Sequence, residues 1–169
     1  MTSAIYTASI PVFTQMLGGL KTVLSKAEAH AVEKKIDPAA LLQARLYPDM
    51  FPLLRQVQVA SDFAKSVSAR LAGVEVPKMD DGEQTFADLQ ARLDTVLAFI
   101  GGLDTAQFDD AATREIVTQA GTPKEKRFTG QSYLFNYGLP HFFFHTTTAY
   151  ALLRHNGVEV GKKDYVGTY

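Results

Sequence analysis

His141 and His145 stand four residues apart in LPHFFFHTTTAY, residues 139–150. On a helix that spacing puts both imidazoles on one face, with Cβ atoms roughly 5–6 Å apart. Two imidazoles so placed can hold one divalent metal ion at about 2.0–2.1 Å. They can equally be core residues with local hydrogen-bond partners. Leu134, Thr148 and Leu152 share their face, so the pair is expected among core-type side chains. The apolar stripe of the segment after Pro52 is centred close to Gln56, with Gln58, Asp62 and Lys65 on the other side. A buried amide must find partners, and Gln56 meets the histidines if the two segments are neighbours. Asp49, in YPDMFP, is a better donor chemically than glutamine, a poor ligand for zinc or iron. It serves either as a further ligand or as a cap. Two uses stay open: a metal site on His141 and His145 completed by Asp49 or Gln56, and a hydrogen-bonded core network.

Other chemistries fail on their residues. HFFFH lacks the glutamate of a zincin HExxH, and no ExxH pair of the di-iron type occurs. GVEVGKK has one residue too few between its glycines for a phosphate loop and no Ser or Thr after the lysine. His30 lies at the edge of its stripe, and His155 falls in a last helical turn, where an imidazolium suits the helix dipole. Tyr133, Tyr137 and Tyr150 read as core and interface residues.

The elements that must position these residues are mostly helical. Phe13, Leu17, Leu20, Leu24, Ala27 and Ala31 recur by fours and threes in a segment from about Ser3 to Lys34. Pro11 either bends that helix or marks a start near Ser9. Asp37 is placed to cap a short helix at PAALLQARL. Leu53, Val57, Ala60, Ala64, Val67 and Leu71 mark a second long helix from Pro52 to Gly73. Thr85, with Asp88 three residues on, opens a third that Gly101-Gly102 ends. Residues 112–130, with AGTP between two strand-like runs, read as a small exposed β-hairpin. The last helix covers about 131–155 and is apolar nearly all round, which predicts burial. Pro140 should bend it and leave the Asn136 carbonyl without its helical partner. The tail, GVEVGKKDYVGTY, is polar and mobile by composition. The fold class expected is all-α: a four-helix bundle with a crossover connection and a small β-hairpin before the last helix.

The chain has 169 residues, which predicts a single domain over 1–169. The net charge of -1 gives no basic field for nucleic acid or an anionic membrane, so neither is an expected partner. There are no cysteines, which removes disulfides and thiolate chemistry and fits the cytoplasm. Neither a signal peptide nor a membrane-spanning stretch is read in the sequence.

LYPDMFPLLRQVQVASDFAK, TFADLQARLD and LPHFFFHTTTAYALLRHNGVEVGKKDY together resemble a bacterial family of uncharacterised proteins grouped with the DinB/YfiT-like superfamily of metalloenzymes. The likeness covers nearly the whole chain and follows the family's segment order. It implies the DinB/YfiT-like bundle, a homodimer, and a divalent metal, zinc or nickel, held by three histidines. One of these comes from the second helix and two from an HxxxH on the last. Some members are metal-dependent thiol transferases or isomerases. His141 and His145 match the HxxxH, but no histidine lies between His30 and His141, and Gln56 takes the inward position. The resemblance therefore implies either a divalent-metal enzyme of thiol-transferase or hydrolase type with a reduced ligand set, or a dimeric bundle that has lost the site and binds a small ligand or a partner. The family's ending also implies that the tail docks.

Overall fold

The computed structural model describes residues 3–169. The elements in chain order are α1 (Ala4–Thr7), α2 (Ile10–Lys34), α3 (Pro38–Leu42), α4 (Leu53–Ala72), α5 (Phe86–Gly101), a 3-10 turn (Thr105–Phe108), β1 (Glu115–Thr118), β2 (Lys126–Thr129), α6 (Gly130–Tyr133), a π-turn (Leu134–Gly138), α7 (Leu139–His155) and α8 (Lys162–Val166). Ends fall where the local chemistry puts them. The Asp37 carboxylate accepts from the Ala39 N–H, and Thr85 and Asp88 close a reciprocal capping box. Gly73 ends α4 in the left-handed region, at φ 71°. Pro11 is the second residue of α2, so it marks a start rather than a bend.

Four long helices surround one continuous core. α4 packs against both α5 and α7, and α2 packs against α5 and α7. α2 and α4, consecutive among the long helices, touch only slightly, so the chain passes across the group rather than round it. β1 and β2 form a two-stranded antiparallel ribbon with Thr118 opposite Lys126.

Three expectations are corrected. First, Gln58 and Lys65 are buried, not on an outer face. The loop between α4 and α5 folds back over α4 and brings Glu83 to Gln58, with Arg92 of α5 at the centre, while Lys65 pairs with Asp62 of its own helix. Second, α7 and its lead-in are not buried all round. Phe135 is 45% exposed and Phe144 55%, because no helix among the described residues covers that side. The predicted kink at Pro140 takes the form of the π-turn just before it, in which the Leu139 N–H bonds the Leu134 carbonyl. A π-turn shifts the backbone pairing by one residue, and such bulges recur at functional sites.

Third, the tail is docked. Val158 and Val160 are buried and α8 lies on α2. Gln15 donates to the Val166 carbonyl at 3.0 Å, and Lys26 pairs with Asp164 at 2.8 Å. The Tyr165 hydroxyl meets Thr147 at 2.9 Å. Gly19 makes the approach possible, because a Cβ there would collide with the Tyr165 carbonyl. Gly19→Ala is expected to lift α8 off α2 at about 1–3 kcal/mol, the usual range for overpacking. Faster proteolysis after Val160, with a matching loss in urea melts, checks this. A tail that stays protected in the variant would remove Gly19 from the account.

Candidate functional site

The histidine pair and Gln56 come together across α4 and α7. His145 is 8% exposed and Gln56 is 1% exposed. The Gln56 Nε2 donates to the Phe51 carbonyl at 3.2 Å, which turns its Oε1 toward His145, 2.7 Å from Nδ1. An amide oxygen only accepts, so Nδ1 carries the proton and donates. The neutral ring then presents a lone pair at Nε2. Nε2 has no hydrogen-bond partner among the described residues. Burial, then the neighbouring His141 and Arg55, push His145 down to about 4. The ring is therefore neutral through the physiological range.

His141, one turn earlier, is exposed. It stacks on Phe63 with ring centroids 4.8 Å apart and planes 9° apart, and it lies 4.6 Å from Tyr137. Burial and then Lys126 lower it below the ordinary histidine value. Pro140, His141, Phe144 and His145 line an open, mostly apolar cleft of about 380 Å³. Phe144 stands edge-on to His145 at 5.1 Å.

Asp49 is exposed in the turn before α4. Among the described residues no three His, Asp or Glu side chains gather as ligands for a metal ion, so Asp49 makes no such group with the histidines. The donor set does not fit a resident divalent ion. Catalytic metals take three protein ligands of imidazole, carboxylate or thiolate type. Here two imidazoles are available, the Gln56 oxygen already accepts from His145, and Arg55 and Lys126 add positive charge. Nor does a base held near 4 suit proton abstraction at neutral pH. A fixed, neutral, hydrogen-bond-accepting imidazole in an apolar cleft suits binding.

Residues 5–166 match a family described as a domain of unknown function, DUF1993. The chain belongs to this family. Its fold is shared with a crystallised DinB family member from Shewanella denitrificans, 45% identical over 97% of this chain and 92% of that one, with a TM-score of 0.91. This DUF1993 chain is thus DinB-like in sequence and in fold. No curated protein matches it. Among the described residues of this DUF1993 protein, no helix is long and apolar enough to cross a membrane.

Sequence reasoning missed two features around the DUF1993 site. One is the Arg92 cluster, two of whose carboxylates, Asp81 and Glu83, come from a loop with no helical period. The other is Phe63, the stacking partner of His141, which lies outside the α4 stripe read from the sequence. The repeat of aromatics at Phe63, Tyr137 and His141 shows only when α4 and α7 are set side by side.

Proposed function

We propose that this protein is a DinB-like four-helix bundle, with a crossover connection, whose histidine cleft binds a small apolar molecule carrying a hydrogen-bond donor. One observation carries the reading. Gln56 fixes the tautomer of His145, so that an unpaired imidazole nitrogen belongs to a cleft walled by Pro140 and Phe144. A donor group on the ligand satisfies that nitrogen, and the aromatic body covers the ring edges. Phenol is the simplest probe. Titration followed by NMR should shift the His145 ring resonances, and His145→Phe should weaken phenol binding measured by calorimetry. Unchanged ring resonances at saturating phenol would end the proposal.

A second reading, a zinc- or nickel-dependent enzyme of thiol-transferase or hydrolase type, has one observation in its favour. An imidazole whose Nδ1–H is held by an oxygen is the usual arrangement of a metal-ligating histidine. The missing third donor weighs against it. Zinc or nickel added to untagged protein is expected to leave the melting temperature unchanged, because tight binding to the native state would have to raise it. A stoichiometric, stabilising titration would restore the metal reading and displace the first.

We also read the chain as a cytoplasmic homodimer. Tyr47, Phe51 and Phe144 are 66%, 48% and 55% exposed. Phe51 and Phe144 flank the Gln56–His145 pair, and an apolar group of this kind is a common meeting face. Sedimentation at several concentrations tests the dimer.

A further inference from the structure

A second, smaller cavity, about 180 Å³, is lined in part by Phe63 and Tyr137. Its character is different. Ser66 and Arg70 of α4, Thr118 and Gln119 at the end of β1, and the Tyr133 hydroxyl line it. Arg70 Nη1 donates to the Tyr133 hydroxyl at 3.0 Å, and the Ser66 hydroxyl bonds the same oxygen. Lys126 is the register partner of Thr118, and its Nζ stands 5.7 Å from the centre of the Tyr137 ring. Among the described residues neither Arg70 nor Lys126 pairs with a carboxylate. Asp62 also borders the cavity, but its Oδ1 is engaged by Arg92 at 2.8 Å and by Lys65 at 3.0 Å.

A guanidinium and an ammonium without counter-charges, beside three hydroxyls, form a donor set for an oxyanion. The wall matters too. Phe63 and Tyr137 are half-buried, both line this cavity, and both rings contact His141, which lines the histidine cleft. We propose that the cavity is the subsite for the oxyanion, carboxylate or phosphate, of a small ligand whose apolar body crosses Phe63 and Tyr137 into the histidine cleft. The cleft end of this assignment rests on the binding reading above. The anion end rests on Arg70, Lys126 and the hydroxyls. The ligand class is an aromatic or aliphatic acid with a hydrogen-bond donor at the end remote from its charge.

The probes are p-hydroxyphenylpropionate, its uncharged amide and inorganic phosphate. Each is titrated calorimetrically into wild type, Lys126→Gln and Arg70→Gln, with NMR of the His145 ring alongside. Lys126 is exposed, so its variant keeps the test alive should Arg70→Gln, which loses the Tyr133 contact, fail to fold. The acid should bind about tenfold more tightly than the amide, as charge-assisted hydrogen bonds require. Lys126→Gln should shrink that ratio about threefold or more. Phosphate should compete with the acid if any oxyanion suffices, and fail to compete if the subsite takes only carboxylate. Equal affinity for acid and amide, or a ratio untouched in Lys126→Gln, overturns the subsite. A shifted His145 ring then leaves the cleft reading intact. Phosphate binding that Lys126→Gln abolishes, with an unmoved His145 ring, supports the anion site and overturns its link to the cleft. Binding by none of the probes overturns both.

Discussion

Arg92→Leu should destabilise the protein by about 2–4 kcal/mol, below the full range for buried pairs because Asp62 and Asp81 keep partial access to water. The Arg92 side chain is 1% exposed and meets Asp62 at 2.8 Å, Glu83 at 2.9 Å and Asp81 at 3.1 Å. It also donates to the Ser61 hydroxyl at 2.7 Å and the Asp80 carbonyl at 3.1 Å. Leucine fills part of the space but leaves the carboxylates facing one another with only Arg55 and Lys65 to balance them. Glu83 suffers most, since its side chain is 11% exposed. Burial pushes its carboxyl up, and the bonds from Arg92 and Gln58 more than offset that, so it rests below the ordinary value of 4.5. A carboxylate with a depressed value contributes stability above its unfolded value and loses it as pH falls through the folded one. The wild type should therefore lose this contribution on acidification below about pH 4.5, while the variant lacks it throughout. Urea melts across that range measure both. Protease cleavage between Lys78 and Gln84 should quicken in the variant, and Arg92→Lys, which keeps the charge without the planar fork, should recover part of the loss. A Leu variant within about 1 kcal/mol of wild type would show the cluster to be ordinary surface pairing.

The second large effect is acid lability at His145. Its folded value is pushed down to about 4, first by burial, then by His141 and Arg55, against an ordinary value of 6.5. Between these values the unfolded chain binds the proton that the native ring refuses, so stability falls as pH drops. The full interval amounts to about 3 kcal/mol between neutral pH and about pH 4. His141, lowered by burial and by Lys126, adds to the slope in the same direction. His145→Gln should cost about 1–3 kcal/mol near neutral pH through the altered bond to Gln56. It should lose most of the slope, so the two stability curves converge as pH falls. A variant that keeps the wild-type slope would mean that His145 titrates normally in the fold.

Much of the fold is legible in the residues themselves. The four-and-three spacing of Phe13 to Ala31 and of Leu53 to Leu71 records which side of each helix avoids water, and that stripe is a property of one segment. Caps are equally local. Asp37, Thr85 with Asp88, and Gly73 act within a few residues of themselves. The HxxxH geometry follows from the helical turn alone, and so does the inward aim of Gln56.

What only the tertiary structure decided concerns groups far apart in sequence. Periodicity puts Gln58 and Lys65 outside because both are polar. The loop that covers Gln58 is invisible to a helical wheel: Glu83 arrives from that loop to meet it, and Arg92 of α5 shares Asp62 with Lys65. The tail reads as mobile from its composition and docks because Gly19 lacks a side chain and leaves room for a carbonyl. The aromatic run of α7 signals burial on every side, yet burial depends on the number of neighbours, and among the described residues no other helix covers Phe144. Above all, the sequence names His145 and Gln56 as inward polar residues but not the bond between them. That bond sets the tautomer, engages the amide oxygen, and leaves the imidazole Nε2 as the accepting atom. Local pattern determines which way a side chain faces. Only the approach of a second element determines what it meets there and which atoms remain free.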